Sequence, residues 1–485
     1  LNRALDFRPV ILVAGILITT LGLAMLLPAI VDLAAGNRDW IVFAASSMLT
    51  TLIGLSLFAA TRGVPKGLST RQALLMTVVS WVALVAFGAL PFIWSGVVPS
   101  YTDAFFESMS GLTTTGATVI GNLDTAPPGI LFWRGLLQWL GGLGIIVMAI
   151  AVLPMLQIGG MQLFKAEAFD TAEKILPRAT QISSSITLVF IGFTGLCCIL
   201  FLSAGMPIDD AVIHAMTTVA TGGFSTKNDS IGHYNSAAID WITTVFMILG
   251  SIPFILYVQM LQGRLRPIFF DSQVRVFIGL LLIATLIAWF IAHSGEHHIG
   301  LDGLRFAAFN VVSITTGTGY ATTDYGLWGP HAISFFFVIM FIGGCAGSTS
   351  CGIKIFRFQV LFQAIRQHIS QVMYPHGIFR PKFNGRPIDY RVIASVMTFM
   401  FLYVVSFGAI AMALIVIGLD TTTALSGAGS AISNVGPGLG TIIGPAGNYA
   451  PLPDTAKWVL AAGMLLGRLE LFTIMVLFLP RFWRT

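Results

Sequence analysis

Long apolar stretches bounded by short polar segments recur along the whole chain. A helix needs about 20 apolar residues to cross a hydrocarbon core of ~30 Å. Ten segments meet that length: 9–34, 40–60, 72–97, 131–156, 182–205, 237–262, 275–293, 331–365, 390–418 and 456–480. After the first two, the pattern between alternate spans changes. Four connections hold a shorter apolar stretch that ends in a Thr/Gly-rich turn. They read AFFESMSGLTTTGATV (104–119), AVIHAMTTVATGGFST (211–226), RFAAFNVVSITTGTGY (305–320) and TALSGAGSAISNVGPG (423–438). Superposing the turns matches Gly116, Gly222, Gly317 and Gly436, spaced by 106, 95 and 119 residues.

The expected fold is therefore an all-α integral membrane protein with two N-terminal spans (1–69) and four pseudo-symmetric span–pore-helix–span repeats around a central pore. The repeats cover 70–157, 180–263, 272–365 and 388–485. A stretch of ~10–14 residues cannot cross the bilayer and reads as re-entrant. Irregular backbone at membrane depth is tolerated where protein buries it or where it lines a watery cavity. Four such turns sharing one cavity predict a central axis. Glycine permits positive φ and close backbone approach, so carbonyl oxygens can replace the hydration shell of a monovalent cation. The candidate filter residues are Thr115, Gly116, Thr221, Gly222, Thr316, Gly317, Val435 and Gly436. Asp103, Asp209, Asp210, Asp302 and Asp420 precede the turns by about the length of one half-helix. They read as N-caps facing the positive helix end, and also as carboxylates ringing the outer mouth.

Composition narrows the class. Of 485 residues, 56% are hydrophobic and 10% charged, with mean hydropathy +0.86. A soluble domain carries roughly 25% charged residues, so a soluble globular protein, a disordered chain and a typical nucleic-acid binder are excluded. With the N-terminus inside, 20 of the 26 basic residues fall in cytoplasmic stretches and five outside (Arg38, Arg134, Lys227, Arg305, Lys457). This asymmetry puts both ends of the chain in the cytoplasm. The first apolar stretch is longer than a signal-peptide core, and Leu1 reads as a trimmed start. Cys197, Cys198, Cys345 and Cys351 make no disulfide framework. HSGEHH (293–298) reads as a solvated outer edge rather than a metal site. No HExxH, Walker-type phosphate loop or dinucleotide fingerprint is present, which excludes an ATP-driven pump. No catalytic constellation on facing helices suggests an intramembrane enzyme.

Two features interrupt the apolar pattern. The eighth span contains GGCAGSTSCG (343–352), whose Gly343, Gly344, Gly347 and Gly352 interrupt a helix at about 1 kcal/mol each. Ser348, Thr349 and Ser350 offer the backbone local alternatives to helical bonds. An unwound loop fits better than a small-residue packing surface. Arg468 lies mid-span, where a charge costs about 2.5–3.5 kcal/mol and normally faces protein or water. It reads either as a structural arginine or as a positive charge below the filter that acts as a barrier or a latch. Glu470, two residues on, points to another face.

With these turns and repeats, residues from about 70 to the C-terminus resemble the TrkH/KtrB/HKT superfamily of potassium transporters. The two extra N-terminal spans make the chain similar to its TrkH branch. The resemblance implies potassium bound at the four filter glycines, and Gly116, where some plant relatives carry a sodium-associated serine, favours potassium. The turns depart from the TVGYG of tetrameric channels, sharing a single glycine, which implies fewer well-formed sites and looser selectivity. The resemblance further implies that Gly343–Gly352 is an intramembrane gate and that Arg468 faces the pore. It also implies a homodimer in a bacterial inner membrane with a cytosolic, nucleotide-binding TrkA-type subunit. The basic cytoplasmic stretches 157–180 and 366–389 suit anionic lipid headgroups. No cofactor is expected, only potassium as ligand. The expected activity is potassium uptake through a gated, channel-like pore; the alternative is a proton- or sodium-coupled potassium transporter.

Overall fold

A computed structural model describes residues 6–61, 69–151, 175–294 and 300–483. Arg3, Arg62, Lys66, Lys165, Lys174, His297, His298 and Arg484, all part of the charge and metal readings above, lie outside the described residues, as does most of the basic stretch 157–180. Among the described residues the regular structure is helical apart from a small hairpin pairing Lys382–Phe383 with Arg386–Pro387 and a single bridge between Ile342 and Ile353. Its surface is that of a membrane protein: Leu23, Ile30, Met48, Leu188, Leu282, Phe290, Phe401 and Val416 are exposed, while glycine, serine and threonine fill the helix contacts. The two N-terminal helices show why. A Cβ on Gly15 would lie 2.9 Å from the Gly54 carbonyl oxygen, and Ser47 Oγ donates to the Gly22 carbonyl at 2.6 Å. Small residues let these backbones touch, as in membrane helix pairs generally.

Among the described residues, seven helices are long and apolar enough to cross a membrane, and two bent pairs would raise the number to nine. The difference from ten continuous spans lies in the sixth, eighth and tenth. The sixth is Ala237–Gly250 followed, after a 91° bend, by Phe254–Leu261. Pro253 has no N–H and disfavours helix at the residue before it. The tenth is Asp454–Arg468 followed by Phe472–Phe478 at 109°, with Glu470 and Leu471 at positive φ in the break. The eighth is a short helix, Pro330–Ile339, separated from Ile355–Met373 by the Gly/Ser/Thr segment. That segment does unwind, and it is buried from residue 343 to 351.

The four shorter stretches are helices Tyr101–Leu112, Ile208–Val219, Leu301–Thr316 and Thr421–Ser433, numbered here as half-helices one to four. Two apolar cores surround them. One holds Phe190, Phe254, Phe277, Phe309 and Phe336 around half-helices two and three. The other holds Phe43, Phe106, Trp133, Tyr403 and Leu460 around one and four. The four cysteines are free, and Cys197 is buried in the first core.

Candidate functional site

All four half-helices end in the same way. A left-handed residue closes each ending, one position past the C-cap in the first two and at the C-cap in the others: Thr114 (φ +52°), Thr221 (+49°), Gly317 (+75°) and Asn434 (+53°). The next residue sends its N–H back five residues: Thr115 to Ser110, Gly222 to Thr217, Thr318 to Ser313 and Val435 to Ser430, at 2.8 to 3.0 Å. This is the six-to-one bond of a Schellman-type ending. A glycine at positive φ follows in each: Gly116, Gly223, Gly319 and Gly436. The equivalent glycines are thus offset from the sequence superposition by one residue at Gly222 and by two at Gly317. The second turn already has a glycine at the position of Thr115, and the third has one at the position of Thr114. Matching first glycines therefore slipped the register.

The four corrected glycines close a ring. An ideal Cβ on Gly116 would lie 2.4 Å from the Gly222 carbonyl oxygen, and one on Gly223 would lie 1.8 Å from that of Thr318. A Cβ on Gly319 would lie 2.0 Å from the Val435 oxygen, and one on Gly436 would lie 2.6 Å from that of Thr115. Each glycine abuts a carbonyl of the next turn in one rotational sense, so backbone alone forms the constriction. Buried side chains brace it from behind. Gln138 donates to the Gly222 carbonyl and accepts from Phe224 N at 3.0 Å. Asn434 Nδ2 donates to Thr115 Oγ1 and to the Met464 carbonyl, both at 2.9 Å. Tyr449 OH donates to the Gly436 carbonyl at 2.7 Å, turning that oxygen toward the wall.

The segment Gly343–Gly352 docks beneath this ring and touches the first three turns. Cys351 Sγ lies 3.8 Å from Thr114 Oγ1 of the first turn. Thr349 Oγ1 accepts from Thr221 Oγ1 of the second at 3.1 Å and donates to the Gly250 carbonyl at 2.8 Å. Ser350 Oγ donates to the Thr316 carbonyl at the third, at 2.7 Å. From the tenth span, Arg468 donates to the Thr349 carbonyl at 3.4 Å and contacts Cys351 Sγ. Its other nitrogen donates to the Gly141 carbonyl at 3.0 Å. The break in the sixth span joins the same cluster, with Cys345 N donating to the Ser251 carbonyl and Phe254 N to that of Gly347, both at 3.0 Å. Gly344 N donates to Ser350 Oγ at 2.8 Å within the segment, and Ser348 Oγ donates to the Cys345 carbonyl at 2.6 Å. Lys354 and Arg357, expected among the cytoplasmic charges, are instead buried at the start of the helix that leaves the loop. Arg357 pairs with Glu470 and lies 3.7 Å over the Phe399 ring.

Above the ring, a cup is lined by Gly116, Gly223, Gly319 and Gly436 together with Arg134 and Lys227. None of the five predicted mouth carboxylates lines it. A half-helix of 12 residues places its N-terminus about 18 Å from its turn, so these groups sit at the periphery. Asp103 is buried in an ion pair with Lys457 at 2.6 Å. Asp210 is buried too, accepting from Thr226 Oγ1 at 2.6 Å with Lys227 at 3.5 Å. Asp302 is exposed and pairs with Arg305 at 3.5 Å, and Asp209 is exposed. Only Asp420 caps its helix, accepting from Thr423 N at 3.0 Å; Ser100 caps the first half-helix instead. Sequence reasoning missed a buried carboxylate tied to two residues of the cup's lining. Glu107 accepts from Arg134 Nε at 2.7 Å and from Thr118 Oγ1 and Val119 N. Arg134 also donates to the Ser225 carbonyl at 2.7 Å and lies 4.0 Å over Phe224, tying the first turn to the second. A charge inside each of two apolar segments was the available signal.

Comparison with known proteins follows this geometry. The family described as TrkH, cation transport protein, matches residues 41–485. The Trk system potassium uptake protein TrkI of Halomonas elongata is 40% identical, over 99% of this chain and 97% of its own length. The Trk system potassium uptake protein TrkH of Escherichia coli K12 is 36% identical, over 99% of this chain and 100% of its own. The crystal structure of the potassium transporter TrkH from Vibrio parahaemolyticus superposes with a TM-score of 0.91 at 34% identity, covering 99% of this chain and 100% of that one.

Proposed function

The chain belongs to the TrkH family of cation transport proteins, and from that membership we propose that it carries potassium into the cell through a gated, channel-like pore. It is a multi-pass membrane transport protein and not an enzyme. The observation that carries the proposal is the closed backbone ring at Gly116, Gly223, Gly319 and Gly436. Its carbonyl oxygens, from Thr115, Thr318 and Val435 and from Gly222, whose oxygen Gln138 also holds from behind, are hard neutral ligands suited to a monovalent cation. The half-helices direct their partially negative C-terminal ends at the same point, which further favours a cation there. The two N-terminal spans would then stand outside four span–half-helix–span repeats.

In this reading Gly343–Gly352 is the gate and Arg468 its latch. Support comes from the contacts that join the segment to the first three turns and from the buried guanidinium that holds it. Arg134 and Lys227 at the cup make the approach less acidic than a carboxylate ring would, so selection rests on the carbonyls. The membrane is the bacterial cytoplasmic (inner) one, with both termini in the cytoplasm. The relatives are named as parts of a Trk system, which supports association with a further Trk component; in this reading that component is a cytosolic, nucleotide-binding TrkA-type subunit, the chain is a homodimer, and its basic cytoplasmic stretches rest on anionic lipid.

Bilayer recording of the purified protein under defined potassium and sodium gradients tests the proposal. Unitary currents reversing near the potassium equilibrium potential are expected. Slow flux that requires a proton or sodium gradient would establish the coupled transporter instead, and permeability ratios near one would remove the potassium preference.

A further inference from the structure

Beside the ion pathway, three membrane helices enclose an apolar cavity of about 410 Å³. Its walls come from the first span (Leu17, Thr20), the third (Ser80, Trp81) and Pro128–Ala151, the helix that follows the first half-helix (Gly141, Gly144). Leu17, Thr20 and Gly144 are exposed on the outer rim, so the mouth opens onto the same surface that carries the chain's exposed leucines and isoleucines. We propose that this cavity binds one acyl chain of a membrane phospholipid.

Chemistry selects the occupant. The cavity lies at membrane depth, where the surrounding solvent is hydrocarbon. Two hydroxyls of the wall are already spent on their own helices: Thr20 Oγ1 donates to the Ile16 carbonyl at 2.7 Å and Thr77 Oγ1 to that of Ala73 at 3.0 Å. Ser80 alone among the lining residues has a hydroxyl without a protein partner. The rest of the lining is mostly Val, Leu, Ala, Met and Gly, a surface that suits hydrocarbon better than an ordered water needing two to four polar partners. The volume falls within the range of small-molecule pockets, and each methylene buried gains about 0.8 kcal/mol. The inner end of the cavity is backbone that the ion pathway uses. Gly141 gives its carbonyl to Arg468 at 3.0 Å, and its Cα packs so closely on Leu112, the end of the first half-helix, that a Cβ would meet the Leu112 carbonyl at 1.9 Å. A lipid chain held here packs directly behind the arginine's acceptor.

Trp81 reports on the site. The protein is reconstituted in phosphatidylglycerol–phosphatidylethanolamine vesicles with plain or dibrominated acyl chains, and the emission of Trp81 is taken as the difference between the parent chain and Trp81→Phe. Bromine quenches indole on contact, so this emission is expected to fall by more than half in the brominated vesicles. Gly144→Leu should restore it at least twofold, because a Cβ there meets nothing within 4 Å and the larger side chain fills the cavity. Leu84→Phe is a second filler should the first not fold. Relief by either filler supports the site. Equal Trp81 emission in the two vesicles, or quenching that neither filler relieves, overturns it, the latter because Trp81 would then meet bulk lipid.

Discussion

An alanine methyl at Gly319 would lie 2.0 Å from the Val435 carbonyl oxygen, whereas one at Gly317 would meet nothing closer than 3.3 Å. Backbone cannot yield as a side chain can. Gly319→Ala should therefore collapse the potassium-to-sodium permeability ratio to near one. Gly317→Ala meets chiefly the ~1–2 kcal/mol cost of a left-handed L-residue and should retain most of the preference. Paired flux measurements in proteoliposomes check this, and equal losses would contradict the register. A second residue-scale prediction concerns the buried pair of Arg357 and Glu470. Removing one partner of a buried pair costs about 3–5 kcal/mol, so Glu470→Ala should lower stability by about that much in detergent unfolding. The legible part at this scale was the presence of turn glycines and of one intramembrane arginine. The register was not legible, since only the backbone dihedrals distinguish adjacent or alternating glycines. Nor was the partner of Glu470, which lies 113 residues away in the chain.

Three spans break around one loop. Hydropathy read the sixth and tenth as continuous because averaging over about 20 residues hides a kink of a few residues, even one holding Pro253 or Glu470. Pro253 was the local sign of one break; the tenth span offered only its charges. The eighth was legible because ten consecutive small residues leave no helical side-chain packing. Once unwound, such backbone needs partners, and the broken sixth span supplies Ser251 and Gly250 carbonyls to it. Deleting Gly343–Gly352 should therefore raise potassium flux, read as tracer uptake by a folded, monodisperse variant; unchanged uptake would remove its role as gate. Arg468→Ala deletes hydrogen bonds of a charged donor, worth about 1.5–3 kcal/mol each, so resting leak should rise about tenfold or more. Leak at the parental level would leave Arg468 a purely structural residue.

At the level of the whole molecule, fourfold recurrence was legible because it repeats in pattern, and pattern survives sequence divergence between the turns. The electrostatics of the mouth was not. Carboxylates counted along the chain say nothing about the lysines that cover them, and Lys457 reaches Asp103 across 354 residues. Spatial closure also exceeded what the sequence implied. Chain order and order around the axis coincide: first turn on second, second on third, third on fourth, fourth back on first. A circle with that property has no privileged starting point, and the peptide link between successive quarters duplicates a joint that contact already makes. Severing the chain at Gly263, between the second and third quarters, should thus leave two halves that find each other when co-expressed. Potassium-dependent growth restored by the pair, and by neither half alone, is the expected complementation. The protein's covalent continuity would then be a convenience of synthesis, and its circular neighbourhood the thing inherited.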